Sequence, residues 1–416
     1  MSYLGFLATN ARFLAFGFVV TFASGFGQTF FVGIFGAPLR EAFGLTHGGF
    51  GTVYSLATLL SACLLLWLGR LIDRVDLRTY TVLATIVFTG ACLWLAWAPA
   101  LPVLLFVGLT LLRLGGQGLF SHIGVTSMGR YYFESRGRAL SIANMGFPAG
   151  SFLLPIVGVA LIESAGWRLT WLLIAGAIVL LVLPVALWLL RDHGERHRLW
   201  AAGMEQARVA ADPHERDWLL HEVLRDPRFY LLLPVVLTPP FVFTGFFIHQ
   251  AQLVEEKGWT MEWFALGFML HSFMAMGATL ILGSLVDHWG ARRLLPFYLL
   301  PLIAGLVVLA TADGDWAAMA FMLTSGLSGG AALTVVGALW AELYGTTHLG
   351  AIRSLVWALV VFTTAAGSMM VGALLDTGFT MATLAGAVAG FALLASLLAA
   401  WSDRASGRGT VRGIPD

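Results

Sequence analysis

Charge is what this chain has least of. Only 11% of its residues are charged, where a soluble domain carries about 25%. Among 416 residues there is a single lysine, Lys257. That scarcity excludes a soluble globular domain. The net charge of +1 gives no pointer to nucleic acid, and none is expected as a partner. Cysteine is nearly absent as well: Cys63 and Cys92 both fall in apolar stretches, which argues against a disulfide framework. No P-loop, hydrolytic triad, Cys-x-x-Cys or histidine–carboxylate metal spacing stands out, so neither an enzyme nor a bound cofactor is expected. Asp and Glu are missing from the middle of every long apolar run; Glu163, Glu342 and Asp376 all sit near run ends.

What is present is apolar. Hydrophobic residues make up 58% of the chain, and the mean hydropathy is +0.83. A spanning helix needs about 20 mostly apolar residues. The runs that meet this lie near 12–36, 48–69, 79–98, 102–128, 139–163 and 168–190, then 229–253, 263–284, 294–311, 316–342, 350–374 and 379–401. The first run is too long for the core of a signal peptide and is read as part of the fold. The expected fold is an all-α integral membrane protein of twelve transmembrane helices in two pseudo-symmetric six-helix bundles. The expected domains are 1–190, a cytoplasmic linker 191–228, a second bundle 229–402 and a cytoplasmic tail 403–416.

The halves repeat. Gly69-Arg-Leu-Ile-Asp73-Arg74-Val-Asp76-Leu-Arg78 recurs as Gly283-Ser-Leu-Val-Asp287-His288-Trp-Gly290-Ala-Arg292, an offset of 283 − 69 = 214. The same offset relates Gly44 and Thr46 to Gly258 and Thr260, and Gly115-Gly116 to Gly329-Gly330. A duplicated hydrophobic half is the pattern of a secondary transporter that rocks two bundles about a central site. Arginines gather in the loops after the even-numbered runs and at both ends, while only Arg40, Arg168 and Lys257 lie opposite. The positive-inside rule then places both termini and the linker in the cytoplasm, in a multi-pass protein of the cytoplasmic membrane. In the linker, Asp212-Pro213 reads as a helix start, and Trp218, Leu219, Val223 and Leu224 form an apolar stripe, so a short helix on the membrane surface is expected. Asp226-Pro227 repeats the cap signal before the next run.

The Gly69–Arg78 element resembles the loop motif of the major facilitator superfamily, G-x-x-x-D-R-x-G-x-R, with Asp76 where the family has Gly; the second copy has His288 in place of Arg. Span number, symmetry and linker extend the resemblance over the whole chain. It implies a transporter working as a monomer in the bilayer, with a small-molecule substrate, a proton as candidate coupling partner and no catalysis. It also implies that Gly69, Asp73, Arg74, Arg78, Gly283, Asp287, Arg292 and Arg353 form a conformational latch rather than a binding site. Three stretches, Tyr131–Ser141, Gly146-Phe-Pro148-Ala-Gly150 and His348–Ser354, are similar to monocarboxylate and oxalate/formate-type porters. Those porters place a basic residue in the eighth helix, where this chain has only His271.

One charge lies well inside a run: Arg113, with Gln117 and Ser121 at i+4 and i+8 on the same face. It reads either as a cation for a substrate carboxylate or as a brace that hydrogen-bonds neighbouring helices. Its repeat partner is Leu327 (327 − 113 = 214), so symmetry does not demand a charge. By resemblance the first, fourth, seventh and tenth helices line the cavity. Thr21, Ser24, Gly25 and Gln28 make one polar stripe; Tyr54, Trp357, His249 and His271 are further candidate contacts. Without a buried carboxylate, proton coupling would fall to His122, His249 or His271. The reading that follows is a carrier for a small organic anion, a carboxylate, by rocker-switch alternating access. A proton-linked efflux carrier for neutral or amphiphilic compounds is the alternative, and a transport-dead sensor on the same scaffold a third.

Overall fold

The structure is a computed structural model that describes residues 3–132, 136–191, 193–194, 218–345 and 349–407. Among these residues every regular element is helical. The chain divides into two compact units, 1–214 and 215–416.

Ten helical runs are long and apolar enough to cross a bilayer. In the first unit they are α1 (Thr9–Phe43), α2 (His47–Ile72), α3 (Leu77–Trp97), α4 (Pro102–Tyr131) and Arg138–Leu189. That last run has 52 residues, about twice what a 30 Å hydrocarbon layer needs at 1.5 Å per residue. It folds back at Gly166, whose φ of 77° interrupts the helix, and its legs are named α5 (138–165) and α6 (167–189). The second unit has α7 (Pro227–Ile248), α8 (Met261–Trp289), α9 (Leu300–Thr311), α10 (Asp315–Tyr344), α11 (Leu349–Asp376) and α12 (Met381–Gly407). The sequence reading of twelve spans counts both legs of the bent run and also α9, which is shorter than a full span.

The shortness of α9 has a local cause. The hydroxyl of Ser328 is wedged into its first turn: it accepts from the N–H of Leu302 (2.9 Å) and donates to the carbonyl of Tyr298 (2.9 Å). These two groups would otherwise pair with each other, four residues apart. A second repair involves the same residue. Pro239 has no N–H for the carbonyl of Val235, four residues back in α7, and the Tyr298 hydroxyl donates there instead, at 2.6 Å.

The repeat is visible in backbone geometry. Gly44 and Gly258 both close a helix in the left-handed region, at φ 62° and 68°. Two residues on, Thr46 accepts from the N–H of Gly49 (3.0 Å) and Thr260 from that of Trp263 (3.2 Å), each capping the next span. Asp226 caps α7 through the N–H of Arg228, as its sequence signal implies.

The linker is described only in its last part. The helix there is one turn, Leu220–Val223, and of the apolar stripe Trp218, Leu219 and Leu224 are exposed while Val223 turns inward. Val223 is fully buried, and the N–H of Trp218 donates to the carbonyl of Tyr344 with the two rings 5.4 Å apart. Trp218 is thus tied to the end of α10, which offers a helix-terminal carbonyl and an aromatic face. The expected start at Asp212-Pro213 lies outside the described residues.

Candidate functional site

Arg113 is 1% exposed. Its position follows from two departures from regular helix. In α1, Ser24–Gly27 tightens to a 3-10 turn and Gln28 is extended (φ −86°, ψ 158°) before the helix resumes at Thr29. Phe31 and Val32 both donate to the carbonyl of Gln28, which leaves the Gly27 carbonyl without its helical donor. In α4 the segment Leu114–Phe120, with glycines at 115, 116 and 118, is wound as π-helix. The breaks face each other: a Cβ on Gly27 would lie 2.7 Å from the Leu112 oxygen and 2.8 Å from the Gly116 Cα. Only glycine at both positions permits this approach.

The guanidinium fills the gap. Nη1 donates to the freed Gly27 carbonyl at 3.0 Å, and Nε to the Thr58 hydroxyl at 3.2 Å. The ring of Tyr54 lies under the group, 5.0 Å from centroid to Cζ, and its hydroxyl pairs with Thr29 (2.8 Å). A desolvated cation–π contact contributes about 2 kcal/mol, well short of what burying an unpaired cation costs. None of these partners is negatively charged. Nη2 is buried and has no hydrogen-bond partner among the described residues. So the residue braces three helices and still points an unused donor pair. Gln28 adjoins Gly27, and the Gln117 N–H lies by the Gly27–Gly116 contact. Neither amide side chain has a hydrogen bond among the described residues.

The other candidates divide. Ser24 is buried, and its hydroxyl is spent on the Thr21 carbonyl (2.6 Å). The stripe Thr21, Ser24, Gly25, Gln28 is therefore not one helical face, because the chain leaves the helix between its second and last members. Tyr54 is fully buried beneath Arg113. In the second unit, His249 Nε2 donates to the Ser368 carbonyl (2.9 Å), joining the end of α7 to α11. His271 Nδ1 meets the Ser325 hydroxyl (2.9 Å), whose proton goes to the Met322 carbonyl. Its ring sits among Phe243, Phe247 and Phe268 at 5.8, 5.7 and 6.4 Å. Trp357 is 65% exposed.

The motif residues do something in the first unit that the sequence did not show. The last turns of α2 tighten to a 3-10 helix over Gly69–Asp73, and side chains from α3 and α4 add hydrogen bonds to their carbonyls. The Tyr80 hydroxyl donates to Leu68 (3.0 Å), His122 Nε2 to Gly69 (3.1 Å) and Arg130 to Ile72 (3.1 Å). Arg78 donates to the carbonyls of Leu190 and Arg191 at the end of α6, and Asp76 caps α3. Arg74 is exposed. In the second copy, Glu342 accepts from the N–H groups of Ala291 (2.6 Å) and Arg292 (3.4 Å), and Arg353 donates to the Gly337 carbonyl of α10. The motif glycines Gly69 and Gly283 are not points of close helix approach. A Cβ at Gly69 meets nothing nearer than the His122 ring at 3.4 Å, and one at Gly283 meets nothing within 4 Å; the close approach is at Gly27 and Gly116 instead. The side chains of Asp73 and Asp287 lie outside the described residues.

A bundle of long apolar helices, a doubled half and a cytosolic-type loop motif define a membrane carrier. The model of the Major Facilitator Superfamily matches residues 17–357, and the chain belongs to that family. It is 24% identical over 369 residues, 83% of this chain and 84% of the other, to the uncharacterised MFS-type transporter YcxA of Bacillus subtilis (strain 168). Among solved structures, a bacterial homologue of the human lysosomal transporter Spinster, inward-facing and occupied, has a TM-score of 0.66 at 16% identity, covering 97% of each chain. The nucleoside transporter NupG has a TM-score of 0.67 at 11% identity, covering 95% of this chain and 99% of its own. At such identities these structures establish the fold. The chain is thus a multi-pass membrane transporter, not an enzyme. The narrower likeness to monocarboxylate and oxalate/formate porters is not among these findings.

Proposed function

We propose that this transporter carries a small organic anion, a carboxylate, by rocker-switch alternating access, as a monomer with a proton as coupling partner. The observation that carries the reading is the unpaired Nη2 of a guanidinium that is 1% exposed. Arginine presents its donors as a planar fork that fits a carboxylate. Here two of the donors are fixed by Gly27 and Thr58, so the fork is oriented before a ligand arrives. Gln28 and Gln117 supply neutral donors beside it, with Tyr54 holding the guanidinium from below. His122, His249 and His271 are the groups available for the proton. The motif residues Gly69, Asp73, Arg74, Arg78, Gly283, Asp287, Arg292 and Arg353 act as the latch on the conformational cycle, with both termini cytoplasmic.

Thermal unfolding of purified protein against mono- and dicarboxylates, neutral sugars and lipophilic cations tests this. A ligand at 100 times its dissociation constant stabilises the fold by about 2.7 kcal/mol. Carboxylates should raise the midpoint of the wild type and leave Arg113→Gln unmoved. Equal stabilisation of both proteins by a carboxylate would remove Arg113 from the site. One observation favours a second reading, an efflux carrier for amphiphiles: the phenylalanine surround of His271. Stabilisation by lipophilic compounds, independent of Arg113, selects that reading.

A further inference from the structure

The second unit holds an apolar groove of about 250 Å³ between α8, the start of α9 and α10. Ala278, Ile281, Phe297, Pro301, Leu327 and Ala331 are among its lining residues, which are apolar apart from the Tyr298 hydroxyl. We propose that it binds one acyl chain of an anionic phospholipid whose headgroup sits at Arg293.

The groove is built by features already described. Regular helix in α9 begins at Leu300, where Ser328 occupies its first turn, and the turn residues before it supply Phe297 and Tyr298 to the groove wall. Ala278 and Ala331 add room opposite. Tyr298 cannot swing in to close it, since its hydroxyl is tied to the Val235 carbonyl at 2.6 Å. The cavity is therefore held open by hydrogen bonds rather than by a chance gap in packing. Its rim is exposed: Ile281 is 65% and Phe297 61% accessible. In a membrane protein such a surface meets hydrocarbon. A cleft this size is too small to seat a helix 10 Å or so across; a flexible alkyl chain fits it.

The charge lies at one end. Arg292 and Arg293 belong to the turn Ala291–Leu294 that leads into the groove residues. Arg293 is exposed and directly precedes Leu294, a lining residue of the groove. The nearby carboxylate of Glu342 is directed at the backbone N–H groups of Ala291 and Arg292. Trp289, 51% exposed at the end of α8, is the kind of side chain found at headgroup depth. The exposed guanidinium of Arg293 at that depth complements an anionic headgroup. The groove is independent of Arg113 and of the substrate proposed above.

The test is thermal unfolding and native mass spectrometry of the full-length protein with dioleoyl phosphatidylglycerol, dioleoyl phosphatidylcholine and glycerol 3-phosphate. The wild type should bind phosphatidylglycerol about tenfold more tightly than phosphatidylcholine and ignore glycerol 3-phosphate. Arg293→Gln should erase the headgroup preference, and Ile281→Trp, on the exposed rim where it cannot disturb the core, should weaken both lipids. Equal binding of the two lipids by the wild type would overturn the proposal. So would phosphatidylglycerol binding of undiminished strength in Ile281→Trp, which would place the anion site away from the groove. Stabilisation by glycerol 3-phosphate equal to that by the lipid would show a free-phosphate site and overturn it as well.

Discussion

The two halves share their punctuation and differ inside. Gly44 and Gly258 end their helices at nearly the same left-handed φ, and Thr46 and Thr260 start the next spans with the same side-chain cap. In the interior the correspondence lapses. Arg113 stands where the second half has Leu327. Gly115 of α4, which presses on Phe88, corresponds to Gly329, whose nearest neighbour, the Phe243 ring, stands at ordinary contact distance. The hydroxyl wedge of the second half, Ser328, corresponds to Leu114. Turn chemistry at the ends of spans is fixed by backbone geometry that both halves need. Interior side chains answer to what each half must hold, and a small asymmetric ligand gives the halves no reason to match.

Substitutions at paired positions sharpen this comparison. The largest difference is expected at the equivalent glycines. In Gly115→Ala the new Cβ would lie 2.7 Å from the Phe88 backbone, so α3 and α4 must separate, whereas in Gly329→Ala its nearest neighbour is 3.5 Å away. Overpacking costs about 1–3 kcal/mol; a thermal midpoint for Gly115→Ala as high as that for Gly329→Ala would erase the distinction. Next comes Ser328→Ala. It leaves the Leu302 N–H and Tyr298 carbonyl to find each other again or go unpaired, a loss of about 1–3 kcal/mol. An unchanged midpoint would mean that α9 simply closes its turn. Smallest is the shared feature: Thr46→Ala and Thr260→Ala should each cost about 1 kcal/mol, and by similar amounts. A marked inequality there would show that the two caps are not equivalent.

Much of this was legible in the sequence, for physical reasons. Bilayer solvation forces long apolar runs, so the spans and their doubling can be read directly. Arg113 announces itself as the one charge deep in such a run. Its partners were harder to see. Tyr54 and Thr58 are polar residues of α2 and could be nominated, but the Gly27 carbonyl could not, since every residue has one. What makes it available is the break at Gln28, and side-chain periodicity carries no record of a backbone that leaves the helix. The π-wound glycines of α4 and the late start of α9 escaped for the same reason. His122 was nominated for proton transfer, yet its ring closes the end of α2 on the Gly69 carbonyl, a role set by a helix terminus rather than by residue type.

A guanidinium fixed deep in a helix bundle has an electrical meaning as well as a chemical one. In a carrier that opens to alternate sides, the share of the transmembrane voltage felt by Arg113 changes each time access switches, and one charge crossing the full field exchanges about 2.3 kcal/mol per 100 mV. A bound monoanion would cancel that charge. The loaded carrier would then reorient almost without regard to membrane potential, while the empty one would not. Voltage would act chiefly on the return stroke, and Arg113, whatever else it holds, would be this protein's gating charge.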